Sequence, residues 1–541
     1  MNIMPAQEQI GKIHDFCQIK KCIFASSYFI MNRYILIFYF LIGMLPFSRL
    51  VAQQSKPMRI EIPCSDDVRP FELVSLGSKG VLVYYKTEHP TAKNQFNWIF
   101  TFLDINLKMR WTKEQPLDEV FEYKTMFDEG RLLFLVFQNS GSRGKSDKMR
   151  IIRLNKLNGD LSVLEETIPE KSSIIKYLIQ DSVSFTGLNT HDDKAIVHIS
   201  SLKTGLSAYL RPELDNRSYL EDILLDSADK TITCLYEYFP VKRQSVFKIN
   251  TYTSDNKLVK SLPVLDFSSS EKVINSVKIR RIDSNRTLLL GSYSNDKSKT
   301  VDEADDRTEE STGFFSCLIR VNKIDSCYFY NFVDFKKFFN KIRGNQAIYE
   351  NGTNKKKEVS SNYRLLLHDI INSKGQFLFV AEAYYPEYHT VTNWTYDYYG
   401  HMIPNYYTIF DGYRYNNTFI AGFDSIGRLV WDNSFEINNI LTFKLRKRVT
   451  TLFDGDQIIM AYNYDGKIAS KVIKKDETIE NISFSEIEFT DSRDRLVSDD
   501  NSDMNFWYNN YFLAFGYQKL KNSSRSSSRR DVFYINKVTY K

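Results

Sequence analysis

Phe423-Asp424-Ser-Ile-Gly427-Arg-Leu-Val-Trp431 ends one strand, turns on an acidic residue and a glycine, and opens another strand. The same phrase returns as Leu103-Asp104-Ile-Asn-Leu-Lys-Met-Arg-Trp111 and as Leu154-Asn155-Lys-Leu-Asn-Gly159-Asp-Leu-Ser-Val163. Shorter echoes stand at Val321-Asn322-Lys-Ile324 and Ile535-Asn536-Lys-Val538. An Asn or Asp side chain bonds its own backbone two residues on, so it belongs where a hairpin reverses. A unit repeated in this way names an architecture, because no single copy can bury its own apolar faces and each must stack on its neighbours.

Working outward, each turn belongs to a unit with an apolar run of its own. Eight runs serve as second strands: Gly80–Tyr85, Arg131–Phe137, Lys194–Ile199, Thr231–Tyr236, Thr287–Tyr293, Gln376–Ala381, Gln457–Tyr462 and Tyr511–Tyr517. They are rich in Val, Ile, Leu and aromatics, and most follow a turn such as Asp454-Gly-Asp456, which is the signature of a buried strand. Their near-continuous apolar character fits a sheet covered on both faces, where a sheet with one wet face would alternate. The intervals between runs range from about 37 to 89 residues, against roughly 40–50 for a bare four-stranded blade. Insertions are therefore expected, at 295–312, 340–360 and 384–415. The fold class is all-β, a β-propeller of eight four-stranded blades, with seven as the alternative count. Met58-Arg-Ile-Glu-Ile-Pro63 is an isolated alternating strand, and little chain follows Asn536. The first strand is thus expected to complete the last blade and remove the open edges of an unclosed ring.

The spacing Asp424, Gly427, Trp431 resembles the repeat of PQQ-like (quinoprotein-type) propellers, in which an Asp, a turn Gly and a docking Trp recur. Asn155, Gly159 and Val163 keep the Gly spacing, and Asp104 and Trp111 keep the ends. The resemblance implies blades that dock through the turn. It does not carry over the quinone cofactor, since vicinal cysteines are lacking here, and no cofactor is expected.

The chain has 541 residues, 43% hydrophobic and 14% aromatic, too apolar for disorder. The net charge of +6 falls to +3 once residues 1–52 are set aside. A chain this balanced is a poor match for phosphate backbones, so no nucleic-acid partner is expected. Residues 31–53 read as a signal peptide: Arg33, an apolar core Tyr34–Phe47, then Ala52 before Gln53. The core is too short for a membrane span of roughly 20 residues. Residues 1–30 are an early-set start or an extended n-region. A single propeller of 57–541, secreted to the periplasm, cell surface or extracellular space with no membrane span in the mature chain, is the expectation. Six cysteines show no metal-ligand spacing; Cys317 and Cys327 flank one hairpin and stand as either a bridge or a buried pair.

Residues 384–415 hold ten Tyr with Trp394 and Phe410, in a loop between the second and third strands of the sixth unit. Aromatics without a core to fill mark binding surfaces for partners or sugar rings. The binding residues read here are Tyr384, Tyr385, Tyr388, Trp394, Tyr396, Tyr398, Tyr399, Tyr406 and Tyr407. The competing reading is a hairpin arm that packs its Tyr on itself or on the rim. The acids between Asp302 and Glu310 lack a calcium-loop order, and read as a solvated loop. Arg525, Arg529 and Arg530 read as a polar hairpin tip. Neither G-x-S-x-G nor H-E-x-x-H occurs, and no catalytic residue or metal ligand is assigned. The expected function is a non-catalytic platform in the cell envelope that binds a protein or glycan. The alternative is a carbohydrate-active enzyme with acids in the central funnel.

Overall fold

The strand Leu132–Asn139 shows how the ring is built. Leu133, Leu135 and Phe137 point one way and pack on Leu82, Tyr84 and Phe100 of the preceding sheet. Phe134 and Val136 point the other way, onto Tyr177, Leu188 and Ile196 of the following sheet. Successive side chains on a strand face opposite sides, so an unbroken apolar run is what a sheet between two sheets requires.

The computed structural model describes residues 58–540 except 65–70, 93, 140–146, 213–216, 242–243, 254, 266–271, 296–309, 322, 336–362, 439 and 523–528. Among these residues the strands form eight antiparallel sheets. Each is a four-stranded meander, from innermost to outermost strand. Blade 1 is Glu72–Ser75, Val81–Ala92, Gln95–Leu103 and Met109–Asp118. Blades 2 to 5 begin at Phe121–Glu129, Ser173–Gln180, Ser218–Asp226 and Val273–Arg281. Blade 6 begins at Arg364–Leu367, blade 7 at Thr450–Asp454 and blade 8 at Asp494–Tyr508. Short pieces Ile371–Ser373 and Leu441–Thr442 also pair within blade 6. Eight apolar clusters lie between the blades, one per interface. The eighth joins Val81, Val83 and Leu103 of blade 1 to Leu513, Phe533 and Ile535 of blade 8, and so closes the ring. Among the described residues no helix is long and apolar enough to cross a membrane.

The closing strand is Arg59–Pro63, which pairs antiparallel with Arg529–Thr539 as the outermost strand of blade 8. Arg59 bonds Asn536, Gln518 and Glu61, and its guanidinium lies over the Tyr534 ring. Arg530 pairs with both Glu61 and Asp494, tying three strands of the blade together. Of the polar tip read at 525–530, Arg525 lies outside the described residues, and Arg530 serves the closure.

The repeated turns dock neighbouring blades. The Trp111 ring of blade 1 lies against Gly159 in the blade 2 turn, and its indole N–H donates to the Lys156 carbonyl at 3.3 Å. A Cβ on Gly159 would come within 2.8 Å of that ring, and its φ of +74° already disfavours side chains. In blade 5, Ser316 Oγ donates to the Gly427 carbonyl of the blade 6 turn.

Two expectations are corrected. Lys194–Ile199 lies in the third strand of blade 3; the second is Val183–Asn189. That second strand escapes an apolar reading because it buries Ser184 and Thr186, and because Gly187 leaves room for Leu220 and Ile223 of blade 4. The insertion at 384–415 is not a separate loop. The second and third strands of blade 6, Gln376–Tyr396 and Met402–Phe423, simply run on as one long hairpin. The insertion at 340–360, and that at 295–312 except for its ends, fall outside the described residues. So do the acids from Asp302 to Glu309. Cys317 and Cys327 oppose each other across the third and fourth strands of blade 5 and form a disulfide.

Candidate functional site

In an antiparallel meander, the second strand ends on the face where the innermost strand began. The blade 6 hairpin therefore leaves the ring on the face at which every innermost strand enters. Two features meet on that face: the hairpin arm and a group of charged residues at the axis.

The arm pairs Tyr388 with Phe410, Thr392 with Tyr406, Trp394 with Pro404 and Tyr396 with Met402. Directly opposed residues share a face, so these pairs form one aromatic surface, interleaved with Thr390 and Thr408. The other face carries Val391, Tyr407, Asn393, Asn405 and Ile403. The span from Tyr388 to Tyr396 extends about 27 Å at roughly 3.4 Å per residue. Asp397 shapes the tip by accepting the Tyr399 and His401 N–H groups at 2.9 and 2.8 Å. The His401 contacts come first among the causes that hold its carboxyl below the usual range.

The expected binding residues divide. Tyr398 at the tip is 96% exposed, Trp394 is 56% exposed, and Tyr385, Tyr388, Tyr396, Tyr399, Tyr406 and Tyr407 are also open to solvent. Tyr384 is different: it is 2% exposed and packs with Tyr415 and Tyr413 between blades 6 and 7. It opposes Tyr415 at the first register shift, where the hairpin is still covered by the next blade. Tyr384 is thus a core residue at the root of the arm.

The arm root is braced. Glu387 pairs with Arg414, and His389 Nδ1 lies 2.5 Å from Asp411 Oδ1. Leu441–Thr442 pair with Tyr413 and Arg414, and the Phe443 ring sits 6.4 Å from Phe410. The same segment then runs to the axis. Tyr415 exchanges hydrogen bonds with the carbonyl and N–H of Arg446. Glu382, fully buried, accepts the Arg448 N–H at 2.9 Å and the Val449 N–H at 3.0 Å, and lies 2.7 Å from His368 Nε2.

At the axis, ion pairs join blades. Lys176 of blade 3 meets Asp222 of blade 4 at 2.7 Å. Lys278 of blade 5 lies 3.9 Å from Asp369 of blade 6. Arg446, just before blade 7, reaches Glu72 of blade 1 at 2.8 Å, and Arg448 lies 3.9 Å from Asp503 of blade 8. Burial pushes the Asp369 carboxyl up, but Lys447, Lys278 and Lys176 outweigh it and hold the group below its usual range. Lys447 is lowered, first by burial, against the pull of Asp369; Lys278 adds to the depression. Among the described residues Lys447 makes no ion pair. The local sequence gave one hint of this group, the basic run Lys444-Leu-Arg-Lys-Arg448 before an apolar strand.

No protein-family model matches this sequence, and no curated protein matches it. Similar solved structures include the β-propeller domain of the Trilobed protease from Pyrococcus furiosus, at 8% identity over 78% of this chain and 95% of that one, with a TM-score of 0.31. The polysaccharide lyase Uly1 is 8% identical over 76% of this chain and 89% of that one, with a TM-score of 0.36. The dihydro-heme d1 dehydrogenase NirN is 10% identical over 80% and 78%, with a TM-score of 0.38. The class rests on the sheets themselves. This is an eight-bladed β-propeller, closed by its N-terminal strand, with an aromatic arm and an axial charge cluster on one face.

Proposed function

We propose that this protein is an exported, non-catalytic propeller of the bacterial cell envelope whose arm binds a glycan. One observation carries the reading. From Gly375 to Tyr413 the chain holds no Lys or Arg, yet it keeps Trp394, Tyr396, Tyr388 and Tyr406 on one face in water, among Thr390, Thr392 and Thr408, with Asn393 and Asn405 on the opposite face. A sugar ring presents apolar C–H faces and a rim of hydroxyls. Flat aromatic rings take the former, and amide and hydroxyl side chains take the latter. Protein hot spots favour Arg beside Trp and Tyr, and the arm has none.

The acids at the axis support a non-catalytic role. Glu72, Asp222, Asp369, Glu382 and Asp503 all face cations or backbone N–H groups. The signal-like segment 31–53 supports export, and Trp111 seated on Gly159 supports the quinoprotein-type likeness of the repeat.

The test uses mature protein recovered from the envelope fraction, where its presence also checks export. Affinity electrophoresis through envelope polysaccharides is expected to retard it. The double variant Trp394→Ala/Tyr396→Ala should bind roughly thirtyfold more weakly, at about 1 kcal/mol per stacked ring. Unchanged retardation of the double variant would sink the reading.

A further inference from the structure

We propose that the blade 6 arm joins two copies of this chain, by pairing the free edge of Tyr388–Tyr396 with the same edge of a second copy about a two-fold axis at Thr392. The inference goes beyond the glycan reading and does not depend on it, because it concerns the edge of the arm and not its aromatic face.

The backbone carries the argument. At the tip, the Asp397 N–H donates to the His401 carbonyl at 2.9 Å. Hydrogen-bonded and non-hydrogen-bonded pairs alternate along an antiparallel ladder. Tyr396–Met402, Trp394–Pro404, Thr392–Tyr406, Thr390–Thr408 and Tyr388–Phe410 are therefore pairs of the second kind, and their N–H and C=O groups point out of the hairpin. Pro404 suits such a place, having no N–H to give. It also breaks the row of donors in the middle of the Met402–Phe410 edge. On the other edge Tyr388, Thr390, Thr392, Trp394 and Tyr396 present N–H and C=O in an unbroken row. The next residue of that row toward the ring is Pro386, so the donors begin at Tyr388. Pairing with the innermost strand of blade 6 stops at Tyr384, and among the described residues no strand covers the edge beyond it. An uncovered row of this kind is a template on which another strand can add.

The occupant that this edge fits is its own copy. Closed oligomers mostly use two-fold interfaces in which one patch meets its equivalent. A two-fold at Thr392 sets Tyr388 opposite the second copy's Tyr396, Thr390 opposite its Trp394, and Thr392 opposite its Thr392. All five residues of the row then exchange both bonds, about ten hydrogen bonds in all. Aromatic pairs and Thr–Thr pairs are favoured across strands, and like charges are not. Tyr388–Tyr396 holds no Asp, Glu, Lys or Arg, so no like charges meet; His389 falls opposite Thr395. In this register the second copy's Tyr398 comes level with Pro386 and stops short of buried Tyr384. The product is a four-stranded sheet whose two aromatic faces lie side by side. A two-stranded ribbon is marginal in water, whereas three or more strands with an apolar face hold together. Pairing thus accounts for an arm that projects this far with its rings exposed.

Sedimentation velocity of the mature protein over a concentration series tests this, with a melting curve for each variant to show that the ring is folded. The wild type is expected to pass from monomer to dimer. Thr392→Pro removes a donor that its own hairpin does not use, so the arm stays paired. Its dimer affinity should fall at least about tenfold, because the two-fold doubles the loss to two central hydrogen bonds. Thr408→Pro makes the same change on the opposite edge and should dimerise as the wild type does. Thr392→Lys and Thr392→Glu each place like charges on the axis. Each should be monomeric alone, and the two should form a mixed dimer when combined. A wild type that stays monomeric throughout overturns the proposal and would give the edge to an extended segment of another protein. A dimer that Thr392→Pro leaves intact, or that Thr408→Pro breaks, also overturns it. Lys and Glu variants that do not recover on mixing overturn the two-fold at Thr392.

Discussion

The axis and the arm share one face of the ring and are built on opposite principles. At the axis, Lys176, Asp222, Lys278, Asp369, Arg446 and Glu72 are drawn together from distant parts of the chain. On the arm, Asp397 is the one Asp, Glu, Lys or Arg between Thr390 and Thr408, and His401 the one His, and the large side chains stand in water. Charge is concentrated where eight blades must agree on a common centre. It is withheld where two strands project alone. An exposed strand pair commonly carries Lys to discourage edge-to-edge pairing, and this arm does without it. The difference teaches where each region should report when damaged: the axis in stability, the arm in recognition.

The sharpest way to break that contrast is at Glu382. Its carboxylate accepts N–H groups of Arg448 and Val449 and faces His368. Glu382→Ala leaves those donors buried without an acceptor, and removing one partner from a buried charged network costs about 3–5 kcal/mol. Urea denaturation should show that loss, with Glu382→Gln recovering part of it. A loss under about 1 kcal/mol would mean that the axis is not anchored through this residue.

Asp503 offers a second, smaller test. Burial pushes its carboxyl up to about 6, against the pull of Arg448. An acid whose folded pKa exceeds its unfolded value binds its proton more tightly when folded. Its contribution to stability is therefore fully present below about pH 4 and is lost as the pH rises through about 6. The change is up to about 3 kcal/mol at 1.36 kcal/mol per unit. Asp494 runs the other way: Arg530 lowers its pKa, so its contribution is lost on acidification. Subtracting the stability curve of Asp503→Asn from that of the wild type cancels such groups. The difference should slope between pH 4 and 7, and a flat difference would remove Asp503 from the account.

Much of the ring was legible because its signals are local. Seven of the eight apolar runs read as second strands hold that place, and the closing strand was visible in the isolated alternation of Met58–Pro63. Blade 3 misled because Ser184, Thr186 and Gly187 occupy a strand whose neighbour supplies the apolar bulk. The arm was legible as aromatic density. The burial of Tyr384 was not, because it depends on where a neighbouring blade stops covering the hairpin. The axial cluster was hardest to see. Lys176, Lys278 and Lys447 lie about a hundred residues or more apart in sequence and become neighbours only when the ring closes.

The smallest expected effect sharpens the comparison most. Replacing Tyr388–Asp411 by a two-residue Asn-Gly turn keeps the Glu387–Gly412 pair and the Glu387–Arg414 brace and supplies the tight reversal that a two-stranded hairpin favours. The excision also removes the His389–Asp411 contact and the Phe410 ring, which contacts Tyr413 and Phe443; beyond these the large side chains of the arm are open to solvent. A two-stranded ribbon in water is marginal on its own account, so it adds little to the ring. The shortened protein should lose less than about 1 kcal/mol in urea denaturation, within the range of surface changes that leave the core intact. It should also stay monodisperse at higher concentration, since two unguarded strand edges are gone. A loss of several kcal/mol would show that the arm belongs to the core of the ring, and the division between a region that holds the fold and a region that meets a partner would have to be abandoned.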